Sequence, residues 1–220
     1  MAALCANSAV MLELHSAVPA HGSVLVPLNI RLSEPELVYI LEHSGATLLV
    51  ATVEFADRAR AVAESVGIRV VVGGSADGAD EYESLLAQAG APVRRETDER
   101  GLLAINYTSG TTGRPKGVMY HHRGAYLQSL AMAYHSGLGP GSTYLWTLPM
   151  FHCDGWCFTW AVIAAGGTNL CLRSIDTGRI WRHLTEDGVT HFSAAPTVLT
   201  MIAEDPSAAR LDRVVQAATG

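Results

Sequence analysis

Short runs of β-branched and aliphatic residues alternate with amphipathic stretches of helical length along most of the chain, and this alternation limits the possible folds. Residues 23–27, 47–51, 68–72, 102–107, 143–148, 168–172, 189–192 and 214–217 read as strands. Residues 33–43, 55–66, 80–89, 122–135, 156–165, 177–186 and 197–203 read as helices. Ser33 and Glu36 have capping-box spacing at the start of the first of these helices, with Pro35 in its first turn. Strands separated by helices of this length need crossover connections. The expected class is therefore α/β, with two largely parallel sheets covered by helices on both faces. The polar stretch 90–100 (GAPVRRETDER) reads as a linker between a first lobe, residues 1–100, and a second, residues 101–220.

Composition narrows the function. The 220 residues, 49% of them hydrophobic, suffice to bury a core. The net charge of −6 leaves no positive excess to follow a polyphosphate backbone, so no nucleic-acid partner is expected. Cys5, Cys153, Cys157 and Cys171 form no dense framework, and Met1–Ala20 has no basic n-region, with Glu13 interrupting its apolar run. A cytoplasmic chain with reduced thiols is expected. The longest nearly apolar stretch, 156–167, is too short to cross a bilayer, so no transmembrane segment is expected.

Of the 15 basic residues, Lys116 is the only lysine. It lies in YTSGTTGRPKGV, residues 107–118, read as a loop over 108–117 that emerges from the C-terminal end of a strand, where open α/β sheets bind ligands. Gly110, Gly113 and Gly117 permit close backbone approach. Thr108, Ser109, Thr111 and Thr112 add hydroxyls, and Lys116 adds a compact charge. Together they make an anion cradle suited to a polyphosphate. The loop is no Walker A sequence, which needs Gly before the lysine and Ser or Thr after it. Here Pro115 precedes Lys116 and Gly117 follows.

Residues 148–156 read LPMFHCDGW. His152, Cys153, Asp154 and Cys157 match no common zinc spacing. The segment fits the lining of an apolar pocket with His152 as its polar exception, and Phe158 and Trp160 read as core.

YTSGTTGRPKGV resembles the phosphate-binding signature of the adenylate-forming superfamily of acyl- and aryl-CoA synthetases, luciferases and peptide-synthetase adenylation domains. Residues 21–50 resemble that family's N-terminal lobe, and residues 189–202 its later αβ unit. The resemblance implies part of the N-terminal domain of an acyl-CoA synthetase-like fold, normally completed by a β-barrel subdomain and a mobile C-terminal domain that are not expected here. Sequence corresponding to the adenine-binding Gly-Gly-Ala-Pro stretch should begin about where Ala218–Gly220 ends. The Tyr-Gly-x-Thr-Glu glutamate, the ribose-binding aspartate and the distal catalytic lysine have no counterpart. On that ground the 220-residue chain alone is expected to have little ligase activity.

The same resemblance implies ATP-dependent activation of a carboxylic acid through an acyl-AMP, followed by transfer to coenzyme A. It assigns Thr108, Ser109, Gly110, Thr111, Thr112, Gly113 and Lys116 to the phosphates, with Thr111 as a Mg²⁺ ligand. His152 is placed near the reacting carboxylate and α-phosphate as the catalytic and acid-binding residue, and Trp156 at the acyl tunnel. Amino-acid-activating members resemble this segment but carry aspartate where His152 stands, so a plain acid fits better, a fatty acid of short or medium length or with sulfur in its chain. Asp154 departs from the asparagine of close acyl-CoA synthetase relatives. The alternatives are an adenylating enzyme serving a carrier protein and an inactive truncated paralogue.

Overall fold

The computed structural model describes residues 1–75, 80–91, 95–108 and 113–219. The first half runs β1 (Ala2–Leu4), α1 (Ala9–Ala20), β2 (Val26–Pro27), α2 (Glu34–Ser44), β3 (Leu48–Thr52), α3 (Ala56–Val66), β4 (Arg69–Gly73) and α4 (Glu81–Gln88). The second runs β5 (Leu102–Thr108), β6 (Lys116–His121), α5 (His122–His135), β7 (Thr143–Trp146), the single turn α6 (Cys153–Trp156), α7 (Phe158–Ala164), β8 (Thr168–Cys171), α8 (Thr177–Glu186), β9 (His191–Ser193), α9 (Pro196–Glu204) and β10 (Gln216–Ala218).

Local chemistry sets several helix ends. The Ser33 hydroxyl and N–H donate to the Glu36 carboxylate at 2.7 and 2.8 Å, which together hold that carboxyl below the usual range, and Gly45 closes α2 in the left-handed region at φ 64°. The side chains of Ser8, Asp80 and Asp176 cap α1, α4 and α8 by accepting N–H groups of the first turn.

Two sheets are wholly parallel, ordered β2-β1-β3-β4 and β10-β9-β7-β8, as the alternation implies. The side-chain period of two divides their residues between layers. Ala2, Leu4, Leu49 and Ala51 face α2 and α3, while Ala3, Cys5 and Val50 face inward. Leu145 of β7 faces α8 and α9, while Tyr144 and Trp146 face inward. The inward faces meet one apolar cluster with Met11 and Leu14 of α1, Ala125 of α5, and Phe158 and Val162 of α7. Helices on both faces of two sheets thus share a central layer.

The helix α1 and the strand β6 are among the elements that differ from the sequence reading. α1 lacks a polar stripe to betray it, because Val10, Met11, Leu14, His15 and Val18 are all buried in the central layer. The expected loop 108–117 gives way at Lys116 to the strand β6, which pairs antiparallel with β5, Thr108 opposite Lys116 and Tyr107 opposite Gly117. Pro115, buried, leads the chain into this strand. Gly117 has no room for a side chain, since a Cβ there would lie 2.8 Å from Ile105 Cγ2. The pair stays joined to the first sheet, because the Leu25 N–H donates to Leu103 O at 2.9 Å and the Ile105 N–H to Leu25 O at 2.8 Å.

Asn7, between β1 and α1, ties the two sheets together. Its amide donates to the carbonyls of Trp146 at 3.0 Å and Leu148 at 2.9 Å, and its oxygen accepts from the Met150 N–H at 2.9 Å. All of this is buried. Asn7→Ala leaves three backbone groups without partners and should cost roughly 3 kcal/mol in urea unfolding. A loss below about 1 kcal/mol would mean that water replaces the amide.

Candidate functional site

The β5–β6 pair fixes the mouth of the Gly/Thr loop. Thr108 ends β5 and Lys116 begins β6, and their pairing sets the two ends of the loop side by side. Ser109, Gly110, Thr111 and Thr112, four of the expected phosphate ligands, lie outside the described residues. Gly113 is exposed at φ 144°, a backbone conformation that a side chain would strain, with open space where a Cβ would stand. Lys116 is exposed and makes no ion pair among the described residues. Its backbone is held in a ladder while its ammonium reaches into solvent. This corrects the expected picture of a lysine within a loop.

The pair is also anchored to α2. His43 Nδ1 lies 2.7 Å from the Tyr107 hydroxyl, and the Arg114 guanidinium lies over the Tyr39 ring, 5.3 Å from its centroid. Burial pushes the Tyr107 hydroxyl up from its ordinary value, with Tyr39 adding to the shift. A cavity of ≈ 540 Å³ lies here, lined by Pro35, Glu36, Tyr39, Glu42, Gly113 and Arg114 among others.

Asn106 connects this loop to the second motif. It is buried in β5, two residues before Thr108. Its amide donates to Phe151 O at 2.8 Å and its oxygen accepts from the Cys153 N–H at 3.3 Å. The two bonds flank His152, which is itself exposed with Nδ1 3.5 Å from Cys153 Sγ. Sequence reading missed Asn106. Its one signal is a polar amide at an alternate position of the apolar run LLAINY.

The chain after His152 is unusual. Cys153, Asp154, Gly155, Trp156 and Cys157 take φ values of 50°, 48°, 59°, 55° and 63°, one turn of left-handed helix. Four of the five carry a Cβ, at about 1–2 kcal/mol each. Gly155 is required, since a Cβ there would lie 2.5 Å from the Trp146 ring. The Gly155 N–H donates to His152 O at 3.0 Å, the Cys157 N–H to Asp154 O at 3.1 Å, and the Thr159 hydroxyl to Asp154 O at 3.1 Å.

The turn presents Trp156, half-buried, to a cavity of ≈ 360 Å³ lined also by Tyr120, Gln128, Met132, Cys153 and Cys157. Burial pushes the Tyr120 hydroxyl up to about 12, with the neighbouring Asp154 and the two thiols adding to the shift. Lys116 and Tyr120 stand four apart on β6, hence on one face and about 13 Å apart. The strand thus carries the cation at one end and a wall of the apolar cavity near the other.

Other candidates settle into structure. Phe158 is buried and stacks on Tyr144, and the Trp160 indole N–H donates to His15 O at 2.8 Å. His121 caps α5 by accepting the Gly124 N–H at 2.7 Å, and Arg123 pairs with Glu99 at 3.0 Å. Among the described residues no three His, Cys, Asp or Glu side chains converge to seat a metal.

Comparisons with known proteins bear on the family and the fold. The model of the family described as AMP-binding enzyme matches residues 1–220. A peroxisomal acetate/butyrate–CoA ligase of Arabidopsis thaliana is 38% identical, the match covering 94% of this chain and 40% of that protein. A 4-hydroxybutyrate–CoA ligase of Metallosphaera sedula is 36% identical over 90% of this chain and 38% of its own length. The chain therefore spans about 40% of the length of these curated relatives. Among solved structures, ATP-bound MatB from Rhodopseudomonas palustris superposes with a TM-score of 0.79 at 28% identity, covering 94% of this chain and 41% of that one. An o-succinylbenzoate CoA synthetase from Bacillus subtilis, solved with its acyl-adenylate intermediate, matches in fold with a TM-score of 0.83 at 24% identity, covering all of this chain and 55% of that one.

The thiols of the site give a direct check on the left-handed turn. Burial pushes Cys5, Cys157 and Cys171 up to about 12 and raises Cys153 as well. At pH 8 a thiol titrating near 12 is ionised in roughly one molecule in ten thousand, and only the thiolate reacts. Iodoacetamide should therefore modify partly exposed Cys153 first and slowly, and the other three only after denaturation. Peptide mapping checks this. Labelling of Cys157 at the rate of a free thiol would show that the turn opens in solution.

Proposed function

The chain belongs to the AMP-binding enzyme family, and from that premise we propose that it serves, as part of a larger enzyme, the ATP-dependent conversion of a carboxylic acid to its acyl-CoA thioester through an acyl-AMP. The supporting observation is the one-piece arrangement of strand pair and turn. Thr108 and Lys116 face each other at the mouth of the Gly/Thr loop, and Asn106 fastens the His152 segment two residues away.

In this reading the second of two lobes, 1–100 and 101–220, carries the nucleotide phosphates on Thr108, Ser109, Gly110, Thr111, Thr112, Gly113 and Lys116. The substrate carboxylate attacks the α-phosphorus in line and pyrophosphate leaves. Lys116 offsets charge on the phosphate oxygens, and the loop hydroxyls and N–H groups orient them. His152, exposed at the edge of the turn, is the group we assign to the carboxylate. Trp156 lines the acyl cavity. Residues 108–117 contain hydroxyls and no carboxylate, so Thr111 would be the protein ligand of Mg²⁺, whose charge would offset that of the phosphates.

The finer assignment is to a short- or medium-chain fatty acid. It rests on the apolar residues of the ≈ 360 Å³ cavity and on relatives named for acetate, butyrate and 4-hydroxybutyrate. Coenzyme A is the acceptor we assign, in keeping with the names of those relatives. None of the helices among the described residues is long and apolar enough to cross a membrane. The four cysteines are free, and we retain a reducing, cytoplasmic compartment as part of the proposal.

The test is acid-dependent exchange of pyrophosphate into ATP by the complete native gene product, across acids from acetate to octanoate. Thioester formation is then compared with coenzyme A and a carrier protein as acceptors. Lys116→Ala should lower exchange on the order of 10²-fold while leaving the fold intact. ATP hydrolysis that ignores the acid, or full exchange by the variant, would overturn the reading.

A further inference from the structure

The reaction proposed above has no use for the most deeply buried polar pair of the central layer, His15 of α1 and Asp154 of α6. Both side chains are fully buried, with His15 Nε2 3.5 Å from Asp154 Oδ1. Neither that nitrogen nor either carboxyl oxygen has a hydrogen-bond partner among the described residues. The other ring nitrogen, Nδ1, lies 2.7 Å from Met11 O. A carbonyl oxygen only accepts, so Nδ1 carries a hydrogen. A neutral ring would then aim the lone pair of Nε2 at a carboxylate oxygen where both side chains are fully buried, each group needs a donor and neither supplies one. One additional proton removes the conflict. It converts the contact into an imidazolium–carboxylate pair, or into a carboxylic acid donating to a neutral ring.

The geometry points to a single proton held between His15 Nε2 and Asp154 Oδ1, which makes the two side chains positioning residues for His152 and Trp156. The step from proton to position runs through the backbone. Asp154 is the second residue of the left-handed turn that starts directly after His152 and contains Trp156. Hydrogen bonds from the Thr159 hydroxyl and the Cys157 N–H hold its carbonyl, and Asn106 holds the preceding N–H. Its side chain reaches from the turn to His15 of α1. α1 is itself pinned at this level, because the Trp160 indole donates to His15 O and its ring meets the His15 ring edge-on at 5.8 Å. Tyr120 of β6, Cys153 and Cys157 lie near Asp154, and His122 of α5 shares an ≈ 320 Å³ cavity with His15. Among the described residues none of these side chains is hydrogen-bonded to His15 Nε2 or to the Asp154 carboxyl oxygens. Without the shared proton the carboxyl is driven from its site, and a backbone turn of intrinsically unfavourable conformation loses its hold on α1. His152 and Trp156 then lose their fixed directions together.

The inference rests on the proposed function only for its kinetic arm, so two arms are run on the complete native gene product. The first is spectroscopic. With ¹⁵N-labelled histidine, His15 should show two ring N–H signals, or difference infrared spectra should show a carboxylic-acid C=O band that Asp154→Asn removes. A neutral His15 beside an ionised Asp154 would overturn the proposal whether or not any acid is a substrate. The second arm is kinetic, at a temperature where near-UV circular dichroism shows each variant folded. Asp154→Asn, whose amide donates to Nε2 without a titrating proton, should keep kcat for adenylation within about threefold of the parent. Asp154→Ala should lower kcat at least tenfold with KM for ATP nearly unchanged, because the β5–β6 ladder holds Thr108 and Lys116 independently of the turn. Equal activity of the two variants would reduce the couple to packing. If Asp154→Ala fails to fold, the spectra and the activity of Asp154→Asn still decide the matter.

Discussion

Two parallel sheets sharing one dry layer of helices is the constraint on which the rest of this structure depends. Each sheet must bury both faces, and the period of two along β1, β3 and β7 sends alternate residues to an outer helical layer and to the common interior. The common layer cannot be completed by either half alone. Ala3, Val50 and α1 come from the first sheet's side, and Tyr144, Trp146, α5 and α7 from the second's. Loops that cross this layer must carry their own hydrogen-bond partners, and the two buried asparagines, Asn7 and Asn106, supply them. Both reach across to the segment between Trp146 and Cys153, so the same apolar layer that holds the fold together also places the candidate site.

The site combines a regular element with a strained one. β6 is an ordinary strand, and its ladder sets Lys116 at a defined distance from the cavity wall at Tyr120. The turn at Cys153–Cys157 is the opposite case. A left-handed run with four side chains persists only where its surroundings determine it more strongly than its own torsions do. Trp146 against Gly155, the Asn106 oxygen, the Thr159 hydroxyl and the buried Asp154 each contribute to that determination. The cost falls between His152, the group we assign to the carboxylate, and Trp156, which lines the ≈ 360 Å³ cavity. This is where a fixed relative orientation is worth most, because a misplaced reacting group loses the benefit of proximity.

The two parallel sheets and most helices were legible in the sequence because each depends on local patterning. The helix at Thr177–Glu186 and the helix at His122–His135 agree with their expected bounds. α1 was not legible, because burial on nearly every side erases the polar stripe by which a helix is recognised. β6 was hidden by its own composition. Lys116, Gly117 and His121 around Val118 and Met119 give no clear alternation, and what holds the strand is its antiparallel ladder to β5, a contact between residues whose pairing no local pattern announces. The left-handed turn is invisible for the same reason. CDGW has one glycine to suggest positive φ, while restraints on the other residues come from Asn106 and His15, both distant in sequence. His152 and Trp156 could be singled out as residues, but the device that aims them could not.

The one lysine among fifteen basic residues gains meaning from its position at a strand start. An arginine there would place a rigid planar fork at the loop mouth, fixing two hydrogen bonds in one plane. An ammonium at the end of four methylenes is a compact charge with three rotatable donors, and it can follow phosphate oxygens as charge redistributes among them. Holding its Cα in the β5–β6 ladder removes the one freedom that would be wasteful, the wandering of the loop base, and leaves the side-chain freedom that the chemistry can use. The fixed backbone and the mobile charge are therefore complementary halves of one arrangement. The same division appears at the other end of the site, where a tightly determined turn carries an exposed imidazole at its edge.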